Sequence, residues 1–379
     1  MQIGIFRERA DGENRVAIAP PTVKKFKQKG FDILIEKDAG DRAGFSNQEY
    51  LDQGAKIVEP DQLLGSDLVI AINQLPPARL TQLKRGAWVA GLLESYKTDF
   101  TSYASGGINA IAMELVPRTS RAQSMDVLSS QANIAGYRAV VEAVAQYPRF
   151  FPMMMTSAGM ARPAKVIVLG VGVAGLQAIA TARRLGAQVE AFDIRPEVKE
   201  QILSLGAKFL DLKLGDTNGS AAGGYAKELS ADAKAQQQAA LTQQLKKFDV
   251  IITTANVPGR KAPLLVTEEA VLGLRHGSVI IDMAAPSGGN CALTQPGQVI
   301  EKNGVKIVGH LNYPAMVPAD ASLFYGNNVF NLIELLLAPV GQQGSASQGQ
   351  QNLAVNFEDD ILAATVVTHN GQIRWKPQG

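Results

Sequence analysis

The feature that most restricts what this chain can fold into is VIVLGVGVAGLQA. An apolar strand, Val166 to Leu169, runs directly into Gly170-x-Gly172-x-x-Gly175 and then into an alanine-rich helix. A strand that turns this tightly into a helix belongs to a parallel α/β sheet. The first glycine permits the bend, the second lets backbone approach a pyrophosphate, and the third lets helix and strand pack closely. Val173 and Ala174 then open a helix whose N-terminus faces the anion. Asp193 ends the next strand, VEAFD, 18 residues past Gly175, where a carboxylate accepts hydrogen bonds from an adenosine ribose. A glycine-rich corner with an ordinary capping aspartate is the plainer reading, but it explains the three parts only separately. The pattern predicts a dinucleotide. With the acid ahead of Arg195, it favours NAD(H) over NADP(H).

The rest of the chain is patterned as α/β. Short apolar runs, Gln2 to Arg7, Asp32 to Glu36, Asp67 to Asn73, Ala87 to Leu93 and Ile108 to Leu115, alternate with polar and amphipathic stretches, including a helix from Pro21. A helix begins near Ser129 and meets no proline before Pro148, and MMMTSAGMARPAK reads as a hairpin able to pack on a second subunit. A second α/β run starts at Lys165, and Asn328 to Leu337 reads as a helix leading back toward the first unit. The expected fold is two Rossmann-like doubly wound units with mostly parallel sheets, joined by long helices. Residues 1–128 with 325–379 would form one unit, and 129–324 the nucleotide-binding one. The Gly-, Ala-, Ser- and Gln-rich stretch 215–240 lacks strand character and is expected to be a mobile lid.

Composition excludes several classes of function. Lys plus Arg exceed Asp plus Glu by 37 − 35 = 2 charges, which gives no field for gripping nucleic acid. One cysteine, Cys291, cannot form an internal disulfide, and His276, His310 and His369 are too scattered for a zinc-finger pattern. An intracellular, metal-free chain is expected. The charged start MQIGIFRERADGENR does not read as an export signal. The longest uncharged apolar-rich stretch, Val166 to Ala182, is broken by three glycines, Gln177 and Thr181 and is too short to span a membrane.

A second constellation is Arg118, Gln123, Asp126 and Ser129, at spacings of five, three and three, on a loop entering a helix. A guanidinium, an amide and a carboxylate can position a nicotinamide carboxamide and its ribose. From spacing alone the plainer reading is the stronger: Ser120 or Asp126 caps the helix, and the arginines solvate its start.

PRTSRAQSMDVLSSQANIAGYRAV, GVGVAG, DIRPEVKEQ, GGYAKEL and NVPGRKAPLLV together resemble the NAD(H)-binding alpha subunit, domain I, of proton-translocating nicotinamide nucleotide transhydrogenase. The resemblance covers nearly the whole chain. It implies that Arg118, Gln123, Asp126 and Ser129 hold the nicotinamide end of NAD(H) and face a partner, and that Tyr225 lies in a loop closing over the nucleotide. It also implies that Asp193, Ile194 and Arg195 surround the adenosine, while Val173 and Ala174, in the Gly170, Gly172 and Gly175 turn, approach the pyrophosphate through backbone. Hydride passes between two nicotinamides, so no acid or base is needed. No second glycine turn of similar quality occurs, Gly288-Gly289 opening no clear helix, so NADP(H) is expected on a beta subunit and the proton path in a membrane-spanning subunit. The chain is then a homodimeric, peripheral subunit facing the cytoplasm, encoded separately from the membrane component.

The family shares its fold with alanine dehydrogenase, and GENRVAIAPPTV resembles that enzyme's substrate-binding strand, with Arg15 placed to meet a carboxylate. Deamination also needs a lysine and a histidine. AINQLPP has Asn73 and Gln74 where that family has its lysine, and no histidine precedes His276. A third reading is a non-catalytic NAD(H)-binding module; the polar loop Arg118 to Ser129 argues against it.

Overall fold

The computed structural model describes residues 1–212, 231–256, 260–337 and 353–375. The chain divides into two compact units, Met1–Gln131 with Pro314–Gly379, and Ala132–Tyr313. Its strands in order are β1 (Gln2–Ile5), β2 (Asp32–Glu36), β3 (Lys56–Val58), β4 (Leu68–Ile70), β5 (Trp88–Gly91), β6 (Asn109–Ala112), β7 (Met154–Thr156), β8 (Gly159–Ala161), β9 (Lys165–Leu169), β10 (Gln188–Phe192), β11 (Lys208–Phe209), β12 (Val250–Thr253), β13 (Val279–Asp282), β14 (Val299–Lys302), β15 (Val305–Val308), β16 (Val366–His369) and β17 (Gln372–Ile373).

The first unit is a sheet of order β17-β16-β6-β5-β4-β1-β2-β3. Strands β1 to β6 pair in parallel, and β16 joins β6 antiparallel with Thr368 opposite Ala110. Ile3, Ile33, Ile35 and Ile70 enter one core, and Leu34, Val69, Val89 and Ala110 another. Burial on both faces is why these strands read as unbroken apolar runs rather than as alternation. The helix Pro20–Gln28 and the return helix Pro318–Leu335 pack on the first core, Phe26 meeting Phe330 edge-on at 5.0 Å. Strand order reverses between β1 and β4, which opens a crevice outside Ile5 and Ile70.

The second unit has order β11-β10-β9-β12-β13-β15-β14, parallel except at β14, and reverses between β9 and β12. A separate antiparallel pair, β7 and β8, exposes Met154, Met155 and Met160. The long helix Val127–Gln146 carries the chain from the first unit into the second.

The structure departs from the sequence-based expectation in three places. The return helix starts at Pro318, not Asn328. Gly326 lies inside it, where an added Cβ would be 3.2 Å from the Ala17 carbonyl and from Thr22 Oγ1, so the helix packs closely there. Of the stretch 215–240, residues 215–230 lie outside the described residues, and the remainder falls in the helix Ala231–Leu245, as its alanines and glutamines favour. Strands β14 and β17 come from two Asn-Gly hairpins, Asn303-Gly304 and Asn370-Gly371, with both residues of each at positive φ.

Candidate dinucleotide site and the Arg118–Ser129 loop

In the second unit the glycine turn follows β9 at the point of strand reversal. Gly170 has φ +92°, and a Cβ on it would stand 2.9 Å from the Ala255 nitrogen. Thr254 Oγ1 donates to the Gly170 carbonyl at 2.8 Å. A Cβ on Gly175 would lie 2.1 Å from that same carbonyl, so helix and strand meet at backbone contact. Gly172 differs from both. A Cβ there would meet nothing within 4 Å. Gly172 also caps the fingerprint helix Val173–Arg184 without a side chain, and the first turn holds no acid. An open, uncapped helix start of this kind fits a diphosphate. Gly136, on the long helix, carries no motif that singles it out in the sequence: its Cβ would lie 2.1 Å from the Ala174 carbonyl, so it lets that helix cross the fingerprint helix at backbone distance.

Asp193 is buried, and its carboxylate serves the turn itself. Oδ2 accepts the Val171 N–H at 2.7 Å, and Oδ1 accepts the Arg195 N–H at 2.9 Å and its Nε–H at 3.0 Å. The Arg195 guanidinium also donates to Asp193 Oδ2 at 3.1 Å and to the Val171 carbonyl at 3.2 Å. A carboxylate has roughly four lone-pair sites, and four bonds engage Asp193, so any further donor would have to displace one of them. Ile194 stands exposed beside them.

Beneath the turn lies a polar chain that sequence reasoning misses. Fully buried Asp282 accepts from Thr253 Oγ1, Thr294 Oγ1 and the N–H groups of Ala284, Asn290 and Cys291. Asn290 in turn donates to the carbonyls of Ala255 and Pro263 and accepts the Ala255 N–H. Ala255 is the residue against which Gly170 closes. Gly289, at φ +80°, lets the loop wrap Asp282, which gives Gly288-Gly289 a structural task.

The Arg118–Ser129 loop belongs to the first unit. Its 3-10 turn Ser120–Met125 buries Ala122 and Met125 and leaves Arg118 and Gln123 exposed. Asp126 accepts the Ser129 N–H at 2.9 Å and the Ser129 hydroxyl at 2.5 Å, capping the long helix. The capping reading therefore holds for Asp126 in this structure. Tyr225 lies outside the described residues.

The loops that follow β1 and β4 in the first unit carry charges that pair with one another. Arg15 donates to both Glu13 oxygens, at 2.8 and 2.6 Å, and to Gln131 Oε1 at 2.8 Å. Glu8 accepts the Ile72 N–H at 2.5 Å, and Asn73 Nδ2 stands 3.1 Å from both Glu8 and Glu13. Burial pushes the Glu8 carboxyl up to about 7. Burial also opposes ionisation of Glu13, but the Arg15 hydrogen bonds and charge outweigh it and hold that carboxyl below the usual range. His369 lies on β16, paired with the edge strand β17, and its ring is 5.6 Å from that of Trp88. His310 approaches Glu142 at 3.5 Å.

Two doubly wound, mostly parallel sheets, one with an open glycine turn at its strand reversal, are the architecture of two-unit nucleotide-binding dehydrogenases. Residues 4–135 match the alanine dehydrogenase/PNT N-terminal domain and residues 139–376 the C-terminal domain. An NAD(P) transhydrogenase alpha-subunit protein of Rhodospirillum rubrum is 44% identical over 388 residues, covering 98% of this chain and 97% of that one. The crystal structure of a transhydrogenase from Sinorhizobium meliloti superposes with TM-score 0.87 at 40% identity, over 98% of this chain and 100% of that chain. An L-alanine dehydrogenase structure gives 0.78 at 25% identity, over 98% and 96%. The chain belongs to the alanine dehydrogenase/PNT family, among its NAD(P) transhydrogenase alpha subunits. Among the described residues no helix is long and apolar enough to cross a membrane, and no cluster of His, Cys, Asp and Glu is suited to a metal.

Proposed function

We propose that this chain binds NAD(H) on the Gly170–Gly175 turn and passes hydride directly from NADH to NADP⁺ held by a partner beta subunit. Gly172, Val173 and Ala174 receive the pyrophosphate, and Asp193, Ile194 and Arg195 take the adenosine ribose side. Arg118, Gln123, Asp126 and Ser129 serve the nicotinamide end. The observation that carries the nucleotide assignment is the unfilled space at Gly172 over a helix start with no side-chain cap.

Hydride leaves C4 of one nicotinamide and arrives at C4 of the other, so atoms and charge balance with no proton transfer. The site's task is to hold rings about 3 to 3.5 Å apart. Because the two couples are chemically alike, drive must come from elsewhere. One proton crossing 100 mV supplies about 2.3 kcal/mol, near fifty-fold in the equilibrium. We assign that step to a membrane-spanning partner, which would hold this subunit on the cytoplasmic face. The exposed methionines of β7 and β8 support a homodimer contact.

An alanine dehydrogenase activity is disfavoured by the first-unit crevice. Arg15 is already paired with Glu13, and Asn73, at the place the resemblance gives to that enzyme's lysine, bridges two carboxylates. Titration with NADH and NADPH tests the proposal: NADH should bind at least tenfold tighter, and alanine should support no NAD⁺ reduction. Equal affinities would remove the assignment of NADP(H) to the partner.

A further inference from the structure

The loop that carries Gln123 belongs to no sheet, and much of what holds it comes from residues some 200 positions later in the chain. The Ser124 carbonyl accepts two amide hydrogen bonds from the return helix, from Asn328 Nδ2 at 2.8 Å and Asn331 Nδ2 at 2.9 Å. The two asparagines are three apart and so share one helix face. Buried Asn328 also accepts the Ser130 hydroxyl through Oδ1 at 2.6 Å. One amide thus fastens the loop backbone to the first turn of the long helix, where Asp126 and Ser129 stand. A further tie holds the start of the loop: Arg121 grips both oxygens of Asp359, at 2.6 and 3.0 Å, and also reaches Asp360. Asp359 caps the helix Asp360–Thr365, so the tail is fastened in turn.

We propose that Asn328 is a positioning residue for hydride transfer. By fixing the Ser124 carbonyl and the Ser130 hydroxyl together, it keeps Gln123 in register with Asp126 and Ser129. This rests on the reading that the loop serves the nicotinamide. Asn328 acts through the loop backbone, and nucleotide affinity does not depend on it. A displacement of about 1 Å in such a loop can cost on the order of 100-fold in rate.

The test is Asn328→Ala in the full chain mixed with the NADP(H)-binding partner. Expected are hydride transfer slowed about 10- to 100-fold at saturating NADH, an NADH Kd unchanged within about twofold, and faster hydrogen exchange at the Ala122 and Asp126 amides. A normal transfer rate despite faster exchange would overturn the proposal. So would a fall in rate matched by equal losses of NADH affinity and thermal stability, which would make Asn328 a general structural residue. If Asn328→Ala does not fold, Ser130→Ala and Asn331→Ala each remove one of the bonds and should slow transfer about threefold to tenfold; normal rates in both would also overturn it. Failure of the unmodified chain to transfer hydride at all would instead sink the functional reading beneath the proposal.

Discussion

The two units have the same kind of crevice and treat it in opposite ways. Outside β9 and β12 the chain supplies glycine, backbone and an uncapped helix start, leaving open space at Gly172. Outside β1 and β4 it supplies Glu8, Glu13, Arg15 and Asn73, which hydrogen-bond to one another. Topology makes a crevice at each strand reversal. What the crevice does depends on whether the connection is made of glycine or of long charged side chains.

The largest expected break of this contrast is Gly172→Val. Its side chain enters free space, so the melting temperature should stay within about 3 °C, while NADH affinity falls by more than about 100-fold because the diphosphate loses its approach. Gly175→Val should fail differently, with backbone collision destabilising the fold itself. Next in size, Gln123→Asn should slow hydride transfer about tenfold with the NADH Kd within a few-fold. A large loss of affinity with normal single-turnover transfer would remove Gln123 from the nicotinamide end. Asp193→Ala should weaken NADH binding about tenfold and, because it strands the buried Val171 N–H, cost about 1–3 kcal/mol in urea unfolding. Unchanged binding with that same stability loss would make Asp193 a brace of the turn and nothing more.

The smallest effect on function should come from Glu8, whose variant leaves NADH binding alone. Its folded carboxyl is raised to about 7 from an ordinary 4.5 by burial, so the folded state holds this proton more tightly than the unfolded chain. The stability Glu8 provides is complete below about pH 4.5 and lost as pH rises through 7, a change on the order of 3 kcal/mol. Glu8→Ala should flatten that slope, measured by unfolding at pH 5 and pH 8. An unaltered slope would mean that the first-unit crevice is wetter than its hydrogen bonds indicate.

How far the sequence can be read follows from where each feature's partners lie. The α/β class and the glycine turn are legible because strand, glycines and helix are contiguous and each glycine has a local reason. The hairpins at Asn303-Gly304 and Asn370-Gly371 carry a local signal as well, but the longer apolar run beside each obscures it. Gly326 in the return helix leaves no local signal because its close neighbours, Ala17 and Thr22, lie some 300 residues earlier. The same limit applies at the sites. Asp193 shows in the sequence as an acid at the end of a strand, whereas its bonds to Val171 and Arg195 depend on the folded turn. Asp282, Asn290, Gly136 and Asn328 have no motif, since each acts on backbone from elsewhere in the chain.

The central claim is that this chain presents NADH for direct hydride transfer, and isotope transfer tests it most directly. The purified chain would be mixed with an NADP(H)-binding partner, NADH deuterated at C4 and NADP⁺, in ordinary water, and the NADPH formed would be analysed for deuterium. The account predicts deuterium at C4 of NADPH, formed only when both proteins are present. NADPH carrying hydrogen from water, no NADPH despite tight NADH binding, or alanine-dependent reduction of NAD⁺ by the chain alone would contradict it.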